Sequence, residues 1–139
     1  MDTEKSKLLQ TILESDAAEP AINSLTEKII GCAFNVSNSL GCGFLEKVYE
    51  NALAYDIRKQ GLRVEQQKDI RVFYDNVEVG FYSADLLVED RVLVELKTVK
   101  SLDEVHKAQC LNYLKATSMK ICLLINFGNP KVEIKRIIL

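Results

Sequence analysis

85-DLLVEDRVLVELK-97 is the stretch whose reading decides the fold. Two apolar β-forming runs flank the pair Glu89-Asp90, which suits a tight turn, so the segment predicts an antiparallel hairpin. With the turn over residues 89–91, Leu87 faces Leu93 and Asp85 faces Glu95. Glu95 and Lys97, two apart on one strand, point to the same side. Asp85, Glu95 and Lys97 are therefore expected to converge at the open end of the hairpin. Opposed carboxylates repel, and they stay ionised together most easily with a cation between them. Oxygen donors with no Cys or His cluster nearby suit Mg²⁺ or Mn²⁺ better than zinc.

Outward from the hairpin the grammar alternates cleanly. Upstream, residues 62–88 are rich in β-branched and aromatic residues around a second turn at Asp75-Asn76, completing a three-stranded meander. Before it, residues 45–60 form a helix closed by Gly61. An earlier helix starts at Ser24, which forms a capping box with Glu27, and stops at the glycines of "LGCGF". Downstream, a helix over residues 101–117 with Ser101 as its cap precedes two strands, "KICLLINF" and "KVEIKRIIL". The order ααβββαββ predicts one α/β domain over residues 24–139, a mixed central sheet flanked by helices, with residues 1–23 a loosely ordered extension.

Composition sets the bounds. A chain of 139 residues with 47% apolar content fits a single core. The absence of any membrane-length apolar run or signal-like leader makes a cytoplasmic location the expectation, with no membrane partner. Cys32, Cys42, Cys110 and Cys122 form no CxxC pair and are expected to be reduced and mostly buried. The net charge of −2 gives no general nucleic-acid signature, but residues 97–139 carry eight Lys or Arg against three acids.

Two helices offer further candidates. On the second, Glu46, Tyr49, Glu50, Leu53 and Ile57 share a stripe, so two carboxylates sit beside apolar residues. Glu46 is the stronger site candidate, since Glu50 has a route to solvent. On the helix after the hairpin, His106, Gln109 and Tyr113 share one polar and aromatic face, with His106 expected to support its neighbours and not to act as the general base.

The blocks "GFLEKVY", "ADLLVEDRVLVELK", "HKAQCLNYL" and "LLINFG" together resemble the GxxExxY protein family, with Gly43, Glu46 and Tyr49 forming its motif. That family resembles the PD-(D/E)XK nuclease superfamily, and the likeness runs over residues 29–138. It implies a restriction-endonuclease-like fold in which Asp85, Glu95 and Lys97 are the PD-(D/E)XK set, with Ala84 in place of the proline. Glu46 would join Asp85 and Glu95 as metal ligands for Mg²⁺ or Mn²⁺. Gln109 would be catalytic, and Gln109 with Tyr113 matches the Gln-x-x-x-Tyr motif of the exonuclease-type branch. Tyr49 and Tyr113 are taken to position substrate. Ser37 and Cys42 depart from the family pattern at the first turn without touching a ligand.

The function expected is metal-dependent hydrolysis of phosphodiester bonds in DNA, or in RNA, in nucleic-acid processing or repair. Two rivals stand beside it: a catalytically silent module binding nucleic acid or protein on the same fold, and a carbohydrate hydrolase with paired carboxylates, which leaves Lys97 unexplained. A homodimer would supply two sites for two strands, and an unidentified protein partner is the other association left open.

Overall fold

The computed structural model describes residues 4–5 and 20–139. Helix α1 (Pro20–Leu40) and helix α2 (Glu46–Lys59) lead into strands β1 (Val64–Tyr74), β2 (Val77–Val88) and β3 (Val92–Lys97). Helix α3 (Glu104–Thr117) connects to β4 (Ile121–Asn126) and β5 (Glu133–Ile138). The strands form one sheet in the order β1-β2-β3-β4-β5. Only β3 and β4 run parallel, because the α3 crossover separates them, and the other neighbours are antiparallel. Among the described residues no helix is long and apolar enough to cross a membrane.

Side-chain alternation builds two cores. Val92, Val94 and Leu96 join Leu123 and Ile125 beneath α1 and α2, whereas Leu93, Cys122 and Leu124 pack with Cys110 and Leu114 of α3 on the other face. β4 is buried along its whole length, which explains its uninterrupted apolar sequence.

Two expectations need correction. The first helix begins at Pro20, a residue suited to an opening turn because it lacks the N–H that would go unpaired there, so Ser24 and Glu27 are interior and not a capping box. Most of the expected extension lies outside the described residues. The cap of α3 is Asp103, whose carboxylate accepts from the backbone N–H of Val105 (3.0 Å) and His106 (3.3 Å), and not Ser101. The cysteines are mostly buried, as expected: Cys32, Cys110 and Cys122 are buried and Cys42 is exposed.

Candidate active site

The β2–β3 hairpin turns through Glu89 and Asp90, both at positive φ. Its ladder pairs Val88 with Val92, Leu87 with Leu93 and Leu86 with Val94, and then stops. At the next pair carboxylates replace backbone carbonyls. Glu95 Oε1 accepts from the Asp85 N–H at 2.9 Å, and Asp85 Oδ2 accepts from the Leu96 N–H at 2.7 Å. The strands part at this exchange, and both acids are held there by backbone donors.

A second irregularity stands beside the first. Gln67, the β1 residue facing Asp85, has φ 55° and is skipped by the β1–β2 pairing. A left-handed non-glycine residue inside a strand costs about 1–3 kcal/mol and resets the in–out alternation. Here it lets consecutive residues point the same way: Gln66 Nε2 donates to Glu50 Oε2 (2.7 Å), and Gln67 Nε2 donates to Glu50 Oε1 (2.6 Å). Gln67 Nε2 also reaches Asp85 Oδ1 at 3.2 Å. Ile70, farther along β1, then packs on the α3 face. Gln67→Ala and Gln67→Gly both remove the amide from Glu50, and the alanine variant should lower stability by about 2 kcal/mol. Glycine tolerates positive φ, so by urea unfolding it should be the milder of the two by about 1 kcal/mol. Equal losses would show that the backbone there is unstrained.

Glu50, expected to reach solvent, is only 3% exposed, and Lys47 Nζ at 2.9 Å completes its set of donors. Tyr49 is fully buried and so cannot touch a substrate, contrary to the positioning role expected of it. Its ring stacks on Phe127 with centroids 4.7 Å apart. Its hydroxyl donates to the Gly41 carbonyl at 2.6 Å and accepts from the Phe44 N–H at 3.3 Å. This ties down the turn that launches α2, and with it Glu46, the first residue of that helix. Tyr49→Phe should therefore cost about 1–2 kcal/mol in denaturant unfolding; no loss would mean that the turn holds itself.

Helices α2 and α3 pack on opposite faces of the sheet and flank the parted strands. Glu46 of α2 is half-buried and within electrostatic reach of Asp85 and Lys97; burial first, and then the Asp85 charge, raise its pKa. Burial also raises Asp85, against the bond from Leu96. Glu95, 4% exposed, is pushed up to about 8, mainly by burial and next by Asp85. Lys97 pulls all three carboxylates back toward ionisation.

From α3, Gln109 Nε2 donates to the Tyr113 hydroxyl at 2.9 Å, and both residues share a hollow with Lys97 and His106. The Tyr113 hydroxyl is raised by burial and then by the Glu95 charge. His106 completes the cap of α3, its Nδ1 accepting from the Asp103 N–H at 3.1 Å.

The donor set consists of hard oxygens, as a divalent cation requires. No described residue donates to Glu95 Oε2. Among the described residues no three Asp, Glu, His or Cys side chains form a finished metal cage. The anchored acids are Asp85 and Glu95, with Glu46 coupled to them by charge.

Sequence reading missed Gln67, the depth of Glu50, and Asn126. The Asn126 side chain is buried and fully bonded: Oδ1 accepts from Val99 and Gly128 N–H, and Nδ2 donates to the Val99 carbonyl and Glu133 Oε1. With the Phe127 N–H on the Lys97 carbonyl (2.8 Å), it clasps the end of β3 that carries Lys97. The signals present were a Gln-Gln pair inside a β-forming stretch and a lone Asn ending "CLLIN".

Residues 23–137 match the family model of the PD-(D/E)XK nuclease superfamily. Among solved structures the chain is similar to an alkaline exonuclease (LHK-Exo) from Laribacter hongkongensis, with 15% identity and a TM-score of 0.47 over 76% of this chain and 75% of that one. It is also similar to SSO0001, with 15% identity and a TM-score of 0.49 over 96% of this chain and 75% of that one. No curated protein matches it significantly. The five-stranded mixed sheet flanked by three helices fits the restriction-endonuclease-like fold expected from the sequence.

Proposed function

The chain belongs to the PD-(D/E)XK nuclease superfamily, and from the site it carries we propose that it is a metal-dependent nuclease hydrolysing phosphodiester bonds of DNA. Nucleases of this superfamily act on nucleic acids and typically use divalent metal ions. The observation that carries the reading is the exchange at the parted strands, where Glu95 is fixed by the Asp85 N–H and Asp85 by the Leu96 N–H, beside Lys97. A silent binding module has no use for carboxylates where phosphates must lie.

In this reading Asp85 and Glu95, with Glu46 reaching in from the start of α2, hold Mg²⁺ or Mn²⁺. The ion supplies charge neutralisation at the phosphoryl oxygens and a more acidic water. Lys97 orients the attacking water and stabilises charge developing on the phosphoryl oxygens. Gln109, fixed by its bond to Tyr113, presents its amide oxygen to that water or to a neighbouring group. Glu50 and Gln67 position Asp85 from behind. Within the superfamily we read the chain as a GxxExxY protein, supported by the Gly43, Glu46 and Tyr49 spacing that the turn lock of Tyr49 explains.

The test is cleavage of end-labelled single-stranded, duplex, flapped and four-way junction DNA, and of RNA, with Mg²⁺ or Mn²⁺. Cutting of DNA that chelation stops is the expected result. No cutting of any substrate with either ion would contradict the proposal.

A further inference from the structure

The β1–β2 hairpin outruns the rest of the sheet, pairing over ten positions where β2 and β3 pair over three. Its far half presents large apolar side chains to solvent, including Phe73 at 60% and Tyr82 at 51% exposure. Exposed apolar side chains gathered on one hairpin in this way mark an interaction site.

Two hollows give it a direction. The first, about 480 Å³, lies between the hairpin and α3 and has Lys97, Gln109 and Tyr113 in its wall. The second, about 470 Å³, is bordered by Arg71, Phe73 and Lys115. They share Tyr82 and Asn112, so together they make one path from Lys97 toward the tip of the hairpin. The charged side chains bordering it are cations, with no Asp or Glu in either lining. Arg71 has an exposed partner, Glu78, at 3.5 Å, a surface pair weak enough for a phosphate to replace. Tyr82 lies against Tyr113 with ring centroids 5.8 Å apart, which continues the aromatic wall down to the site.

We infer that this path binds an unpaired stretch of DNA whose backbone enters the active site at Lys97. The inference rests on the nuclease reading and names the substrate form. Aromatic walls grip the faces of bases, which a duplex hides in its stack, while spaced cations follow the phosphates; the combination selects single strands over duplex. Tyr82 and Phe73 are the stacking platforms, and Arg71 and Lys115 bind phosphate.

The experiment is fluorescence anisotropy in EDTA with a labelled single-stranded oligodeoxynucleotide, its blunt duplex, and RNA of the same sequence. Binding without metal keeps the result independent of cleavage. Wild type should prefer the DNA single strand over both others. Tyr82→Ala and Phe73→Ala should each weaken that binding about tenfold, with duplex binding changed less than about twofold. Tyr82→Phe should restore it, and Lys115→Ala should lower the salt slope by about one. Losses equal on single strand and duplex, unchanged single-strand binding in both alanine variants, failure of Tyr82→Phe to restore it, or tighter binding of RNA would each overturn the assignment. A wild type that cleaves with metal but ignores these substitutions faults this inference alone. One that binds single strands as described yet cuts nothing faults the nuclease reading alone.

Discussion

Glu95→Gln is expected to abolish hydrolysis and, at the same time, to make the metal-free protein more stable. The loss of rate, about 10³-fold or more, follows from removing a charged oxygen ligand beside the reacting phosphate. The gain in stability follows from burial. Folding raises the Glu95 pKa from 4.5 to about 8, with desolvation as the largest cause and the Asp85 charge next. Below about pH 4.5 both states hold the proton and the site carries no penalty. Between about pH 4.5 and about 8 the unfolded chain releases it while the folded chain retains it, so stability falls with rising pH; above about 8 the loss levels off. Glutamine has the shape of the protonated acid and can still accept the Asp85 N–H through Oε1, so it escapes this penalty. By thermal melting in EDTA, the variant should match wild type near pH 4.5 and exceed it by roughly 5–15 °C at pH 9. An inactive variant that is also less stable at pH 9 would mean that Glu95 is a structural acid.

Gly128→Ala should be the most damaging of the glycine-to-alanine changes. A Cβ at Gly128 would lie 2.1 Å from the Val99 carbonyl oxygen and 2.6 Å from its nitrogen, both backbone atoms that cannot rotate aside. Those same two atoms are bonded by the Asn126 side chain, so relief must come from opening the clasp that holds the end of β3. We expect a loss of about 3 kcal/mol or more, a fall in Tm of roughly 10 °C or more, and a drop in kcat with Lys97 no longer held. Gly61→Ala is the control. It has open space around it but φ 81°, so only the backbone penalty of about 1 kcal/mol applies. Similar melting of the two variants would show that the loop after β3 yields easily.

The hairpin was legible because its turn residues and apolar runs fix one register, and a slip by one residue would turn Leu87 and Leu93 out of the core. That register alone brought Asp85 to Glu95. The helical stripe on α2 gave the direction of Glu50 but not its depth, which depends on Gln66 and Gln67 from a strand that sequence spacing does not dock. The left-handed Gln67 carries no sequence sign, since glutamine has no preference for positive φ; the conformation is imposed by the carboxylates that its amide joins. Tyr49 was misread for the opposite reason: an aromatic beside a candidate glutamate invites a substrate role, whereas its hydroxyl is consumed by the turn that starts the helix. At α3 the expected cap is Ser101, but Asp103 takes that place because its carboxylate reaches two N–H groups of the first turn.

The central claim is that Asp85 and Glu95 form the anchored half of a divalent-cation site. It is tested most directly by titrating Mn²⁺ into the protein at pH 8 and following free ion by electron paramagnetic resonance, for wild type and for the Asp85→Asn, Glu95→Gln double variant. Saturable binding in wild type that the double variant loses is the result expected. Equal affinity and stoichiometry in the two proteins would contradict it.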